Sequence, residues 1–265
     1  MIPKAYIDAW RAKAPWQQDA QVEQDLVISR AIVEIFSNDY LSEHLAFRGG
    51  TALHKLFLSP QVRYSEDIDL VQLKPGPVKP MLEAIRDQLL FLGDKEARQV
   101  RLSEHNCTIY YQYETEMSPP PKMKVKIEIN TREHFHLLNL RKETFSVDNP
   151  WYRGSADITT FEPEELLGTK MRALYQRKKG RDLFDLHYAH TKLELDSLKV
   201  IRCFKEYMLK EGNMPPTGRE FELNLVEKTK APEFAGDIEA LLRPDVDYDQ
   251  QAAFSMFERF YIKKF

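Results

Sequence analysis

The chain has 265 residues, 43% of them apolar and 11% aromatic, with a formal net charge of −3. That is apolar material for a sizeable core in two modest domains or one elaborated one, and the acidic balance excludes a wholly basic nucleic-acid binder while leaving room for a local basic patch. The cysteines number two, Cys107 and Cys203, which rules out a disulfide framework and points to a reducing cytoplasm; no apolar run approaches the roughly 20 residues that span a bilayer, and the first residues lack a signal-peptide core.

Residues 5–13 predict a short helix with exposed charges. Asp19 reads as the N-cap of a longer helix over 20–37, where Val22, Leu26, Ile28, Ile32, Val33, Ile35 and Phe36 form a broad apolar stripe that should back a sheet. Leu45-Ala46-Phe47 is a short apolar run. It leads into Arg48-Gly49-Gly50-Thr51, and an apolar helical run follows over 51–58: strand, tight turn, helix. Paired glycines allow positive φ and close approach, and the open N–H groups at a helix start favour an anion, commonly a phosphate. After a loop at Ser59-Pro60 comes Asp67-Ile68-Asp69, followed by Leu70 and Val71. In a strand the two aspartates share one face and Ile68 takes the buried one. Close carboxylates repel unless a cation lies between them, and hard oxygen ligands suit Mg²⁺ or Mn²⁺. Each motif alone also fits an ordinary turn or a solvated strand end. Together, in this order, they describe a phosphate cradle a short loop from a divalent-metal site.

A helix is expected over 79–92, stopped by Gly93, then strands over 99–103 and 108–113 and a loop at 117–121. Residues 122–130 alternate cleanly. Met123, Val125, Ile127 and Ile129 lie on one face; Lys122, Lys124, Lys126 and Glu128 lie on the other. On residues alone this is a half-exposed strand. A short strand at 159–161 precedes a helix opened by Pro163, Glu164 and Glu165, which suit its first turn. The rest reads as helices over 181–190, 198–209, 221–229, 234–242 and 250–261, with a domain boundary between residues 160 and 161. Lys170 sits one turn before Leu174 on an apolar face, so it either snorkels or binds an anion. Arg177, Lys178, Lys179 and Arg181 cluster at the helix end, where positive charge favours the dipole. His134 and His136, and His187 and His190, lack the companions a zinc site needs and read as structural. Phe254, Phe257, Phe260 and Tyr261 read as a core stripe.

Gly49-Gly50-Thr51 followed by Ser65-Glu66-Asp67-Ile68-Asp69-Leu70 resembles the first motif of the polymerase-β-like nucleotidyltransferase superfamily. More narrowly, Phe-Arg-Gly-Gly-Thr-Ala-Leu with Tyr-Ser-Glu-Asp-Ile-Asp-Leu resembles the AbiEii-type toxins of bacterial abortive-infection and MenT-type toxin–antitoxin pairs. Arg181-Asp182-Leu183-Phe184-Asp185 looks like the Arg-Asp-x-x-Asp signature of that family. The resemblance implies an α+β nucleotidyltransferase fold, a mixed sheet flanked by helices, over residues 1–160. A helical domain over 161–265 then completes the active site. It implies a catalytic set of Asp67, Asp69, Glu128, Lys170 and Asp182. Asp67, Asp69 and Glu128 hold Mg²⁺ or Mn²⁺; Arg48, Gly49, Gly50, Thr51, Lys170 and Asp185 bind the nucleotide. Asp185 shares the face of Asp182, and sequence does not separate the two. The implied reaction is Mg²⁺-dependent transfer from an NTP to a tRNA acceptor end, with Arg48, Arg63 and Arg172 as backbone contacts and a cognate antitoxin as partner. A phosphotransferase acting on a protein or small molecule would need the same site. A silent nucleotide-binding module is the alternative from outside enzymology.

Overall fold

Packing begins with α1 (Lys4–Trp10) and α2 (Asp19–Phe36). The N-cap of α2 is Gln18; Asp19 lies inside the first turn, ion-paired with Lys4 and Arg11. An acidic group there still favours the positive helix end. α2 is buried on all sides from Val22 to Ser29, not along one stripe, because α1 covers its outer face. It therefore carries polar groups into the core. Asp25 accepts hydrogen bonds from Trp10 Nε1 at 3.0 Å, Lys55 Nζ at 3.0 Å and Gln61 Nε2 at 3.1 Å. The Lys55 and Asp25 side chains are 1% and 0% exposed, so this is a charge pair deep in protein, and the surrounding bonds offset its desolvation.

The computed structural model describes residues 2–93, 98–115 and 122–265; the expected loop at 117–121 and the side chain of Lys122 lie outside the described residues. After α3 (Asp39–His44), capped by the Asn38 side chain, the chain enters β1 (Leu45–Arg48), α4 (Gly49–Ala52) and a π-helical turn over Leu53–Phe57. Then follow β2 (Asp67–Gln72), α5 (Lys79–Gln88), β3 (Arg98–Leu102), β4 (Asn106–Glu114), β5 (Lys122–Asn130), β6 (Leu140–Asn149) and β7 (Tyr152–Phe161). The described strands make one seven-stranded sheet in the order β3-β4-β5-β2-β1-β7-β6. It is mixed: β2 runs parallel to β5 and β1 parallel to β7, while the other neighbours are antiparallel. The strand expected at 159–161 is the end of the ten-residue β7. Its hairpin partner β6 is an edge strand, and exposed Arg141, Lys142, Thr144 and Asp148 mask its alternation.

Two compact units result, Met1–Phe161 and Glu162–Phe265. The second is helical: α6 (Pro163–Gln176), α7 (Gly180–Lys192), α8 (Ser197–Lys210), α9 (Gly218–Thr229), α10 (Pro232–Glu239) and α11 (Gln250–Phe260). Its centre is aromatic. Phe221 lies 5.6 Å from Phe204 and 5.2 Å from Phe257, ring centre to ring centre, and Phe257 lies 5.2 Å from Tyr261. Phe257 and Tyr261 are fully buried, as their spacing implies, while Phe254 and Phe260 are half-buried. Lys228 donates to the last carbonyls of α6, at Leu174 and Tyr175, and burial pulls its ammonium down to about 8.

Candidate active site

In the N-terminal unit the ladder sets the geometry. Asp69 pairs with Arg48 of β1 on one side and with Glu128 of β5 on the other, while Asp67 pairs with Lys126. Directly opposed residues share a face, so Asp67, Asp69, Lys126 and Glu128 project together. Ile68 and Ile127 between them are fully buried on the opposite face. The glycine turn closes over this face. Gly49 has φ +81°, and a Cβ there would overlap the Asp69 carboxylate. A Cβ on Gly50 would overlap the Arg63 guanidinium. Thr51 is fully buried; its hydroxyl meets Ser65 Oγ at 2.7 Å and donates to the Asp67 carbonyl. The glycines thus admit the chain's own Asp69 and Arg63, and Thr51 bolts the turn to the Asp67 end of β2. The sequence motif alone suggests that Thr51 faces a nucleotide; the structure turns its hydroxyl inward.

The charges on this face are uneven. Burial first, and then the negative charge of Asp67, push the Asp69 carboxyl above its ordinary range, against the pull of Arg48. Lys126 Nζ lies 2.9 Å from Glu128 Oε2 and 3.5 Å from Asp67 Oδ2. Burial alone would lower its ammonium, yet the bond to Glu128 and the charge of Asp67 outweigh that and hold it higher than usual. Arg48 is ion-paired with Glu133, whose backbone N–H is fixed by Asn130 Oδ1 at 2.8 Å just beyond β5. Among the described residues, no three His, Cys, Asp or Glu side chains are gathered in a shape that holds a metal ion. Lys126 stands between two of the three carboxylates instead. The donor chemistry still fits a hard divalent cation, since three carboxylates share one face.

In the C-terminal unit, Lys170 of α6 is 3.2 Å from Asp182 Oδ1 and 3.1 Å from Asp185 Oδ2, both fully buried in the first turns of α7. Arg177, between the helices, donates to Asp182 at 2.7 and 2.8 Å. The two aspartates are thereby distinguished: Asp182 is shared by Lys170 and Arg177, and Asp185 takes Lys170. Burial raises the Asp182 carboxyl, but Lys170 and Arg177 together hold it below its usual range. Lys178 pairs with Glu233 and Lys179 with Asp237, a structural use of that charge. The basic residues expected to touch an RNA backbone are engaged within the protein. Arg63 is 3% exposed and donates to the Tyr64 carbonyl, and Arg172 meets Glu211 at 2.7 Å. Sequence reading assigned no role to Lys126 or Glu133. Lys126 becomes visible once β5 is known to lie beside β2; nothing local marks Glu133.

Comparison with known families places the chain among the nucleotidyltransferases. It superposes on the nucleotidyltransferase toxin MenT4 from Mycobacterium tuberculosis with a TM-score of 0.63 at 17% identity, covering 100% of this chain and 98% of that one, which is a likeness of fold. An antigenic nucleotidyltransferase-like protein from Paracoccidioides brasiliensis aligns at 19% identity over 78% of this chain and 92% of that one, but with a TM-score of 0.40, too loose to argue from. No curated protein matches the sequence. The sequence profile described as the nucleotidyl transferase AbiEii toxin of type IV toxin–antitoxin systems matches residues 30–256. The chain belongs to that AbiEii family.

Proposed function

We propose that the chain uses an NTP to add a nucleotidyl group to the acceptor end of a tRNA, as the toxin of a toxin–antitoxin pair acting in the cytoplasm. One observation carries the reading: Asp69 lies in register with Glu128, on the same face as Asp67, directly under the Gly49 turn. Asp67, Asp69 and Glu128 are the residues that would hold Mg²⁺ or Mn²⁺, which supplies charge stabilisation at the α-phosphate and at the leaving oxygen. Arg48 and the turn at Gly49 and Gly50 orient the triphosphate. The acceptor hydroxyl oxygen bonds to the α-phosphorus as the bond to the β-phosphate oxygen breaks and pyrophosphate leaves; Glu128 takes the hydroxyl proton. Lys170, clasped by Asp182 and Asp185, is the candidate anion contact within the C-terminal unit.

The test is incubation of the purified protein with total tRNA, Mg²⁺ and each NTP labelled at the α-phosphate, beside an Asp69→Ala variant checked for fold by circular dichroism. Labelled tRNA with one NTP, absent in the variant, is the expected result. No label with any NTP would overturn the reading, and transfer from γ-labelled nucleotide would then identify a phosphotransferase.

A further inference from the structure

We propose that Lys126 is the resident counter-cation of the carboxylate face, and that a divalent metal reaches Asp67 and Glu128 by displacing its ammonium. The inference rests on the metal role given to these carboxylates above. It adds a residue that competes for them.

The geometry is that of a substitute. Lys126 is bracketed by the carboxylates, in register with Asp67 on the neighbouring strand and two residues before Glu128 on its own. Its nitrogen lies 2.9 Å from one and 3.5 Å from the other. Among the described residues this face shows no ready-made metal cage, and the lysine stands where two of the carboxylates would otherwise converge. Arg48 lies beside Asp69 and eases its charge while also pairing with Glu133, so the cation set between Asp67 and Glu128 is Lys126. Removing Lys126 would leave Asp67 and Glu128 without the ammonium that lies between them. The lysine is also free to leave. Its side chain is 30% exposed, beside carboxylates exposed by 39% and 31%, on a four-carbon stem that reaches water without moving the strand. Glu128 and Asp67 therefore exchange one cation for another, and metal binding is weakened by the contacts the lysine gives up.

The experiment is calorimetric titration of the nucleotide-free protein with MnCl₂, for the wild type, Lys126→Met and Lys124→Met. Lys124 lies on the same strand face and is exposed, so its loss changes net charge equally without touching the carboxylates. Lys126→Met is expected to bind Mn²⁺ roughly tenfold more tightly, since partly screened pairs of this kind are worth about that factor. Lys124→Met should stay within about twofold of the wild type. Without metal the Lys126→Met protein should melt lower than the wild type, and saturating Mn²⁺ should close the gap. Lys126→Gln repeats the test if the methionine variant does not fold. Equal affinity in the wild type and in the neutral variants overturns the proposal. Weaker binding in those variants also overturns it, because Lys126 would then organise the ligands and not contest them. If neither wild type nor variant binds Mn²⁺, the metal reading itself falls and this inference with it.

Discussion

Gly49 answers two demands at once. Its φ of +81° belongs to the left-handed region that side chains avoid, and the Asp69 carboxylate fills the space a Cβ would take. Gly49→Ala should therefore cost about 1–3 kcal/mol in urea unfolding and should also lower transfer activity, because Asp69 must shift to make room. A loss of stability with full activity would mean that Asp69 is not held by this contact. The Asp-x-Asp pair was legible in the sequence because strand alternation is a local rule. The burial of Arg63 and the clasp of Arg48 by Glu133 were not, since each depends on a neighbour brought close only by the sheet. The inward turn of Thr51 was hidden for the same reason: its partners are Ser65 and the Asp67 carbonyl.

Helix contacts in the C-terminal unit give a paired test. Gly168 lies where α6 meets α8, and a Cβ there would come within 2.5 Å of Cys203 Cβ and 3.0 Å of the Phe204 backbone nitrogen. Gly168→Ala should force the helices apart at a cost of about 1–3 kcal/mol. Gly236, in α10, is exposed and would meet nothing within 4 Å. Gly236→Ala should be neutral or stabilise by up to about 1 kcal/mol, the ordinary gain of alanine in a helix. Thermal melts of both variants check the contrast. Periodicity found most of these helices, since 3.6-residue repeats survive in the sequence whatever they pack on. The apolar stripe of α2 packs on the sheet as expected, and α1 covers more of the helix than periodicity alone shows. Periodicity missed β6, which alternates in burial but places polar Glu143 and Asn149 beside Phe145 and Val147 on its inner face, so the apolar signal is short. The helical run expected over 51–58 is present, but nothing local marks its π-helical turn at Leu53–Phe57, which carries Lys55 to Asp25.

Across the whole chain, a net charge of −3 conceals how much positive charge is already engaged internally. Arg48, Arg172, Lys178 and Lys179 each meet a carboxylate. Stability should follow pH accordingly. Burial lowers His187, with Asp249 opposing, and lowers His190, with Lys264 and His187 adding to the effect. In the unfolded chain both titrate near about 6.5, so below that value the unfolded state binds protons the folded state refuses. Their contribution is complete above about pH 6.5 and is lost as pH falls. Asp182 works at lower pH: its depressed carboxyl stabilises fully above about 3.9, the unfolded value, and the contribution disappears as pH falls through the lower folded value. Urea unfolding followed by far-ultraviolet circular dichroism at about pH 7.5, 5.5 and 3.5 should show both losses. The double variant His187→Gln, His190→Gln should flatten the first and leave the second.

The overlap between residue 49 and the carboxylate of residue 69 ties their histories together. While Asp69 is needed, position 49 is closed to every side chain by crowding as well as by backbone angle. In a lineage that abandoned the chemistry and shortened residue 69, the crowding would vanish and only the angle would remain. Asparagine tolerates that angle best among residues with a side chain, so it is the replacement expected at 49 in silent descendants. A glycine exchanged for asparagine beside a lost aspartate would then mark, in a gene tree, the branch on which the enzyme fell quiet.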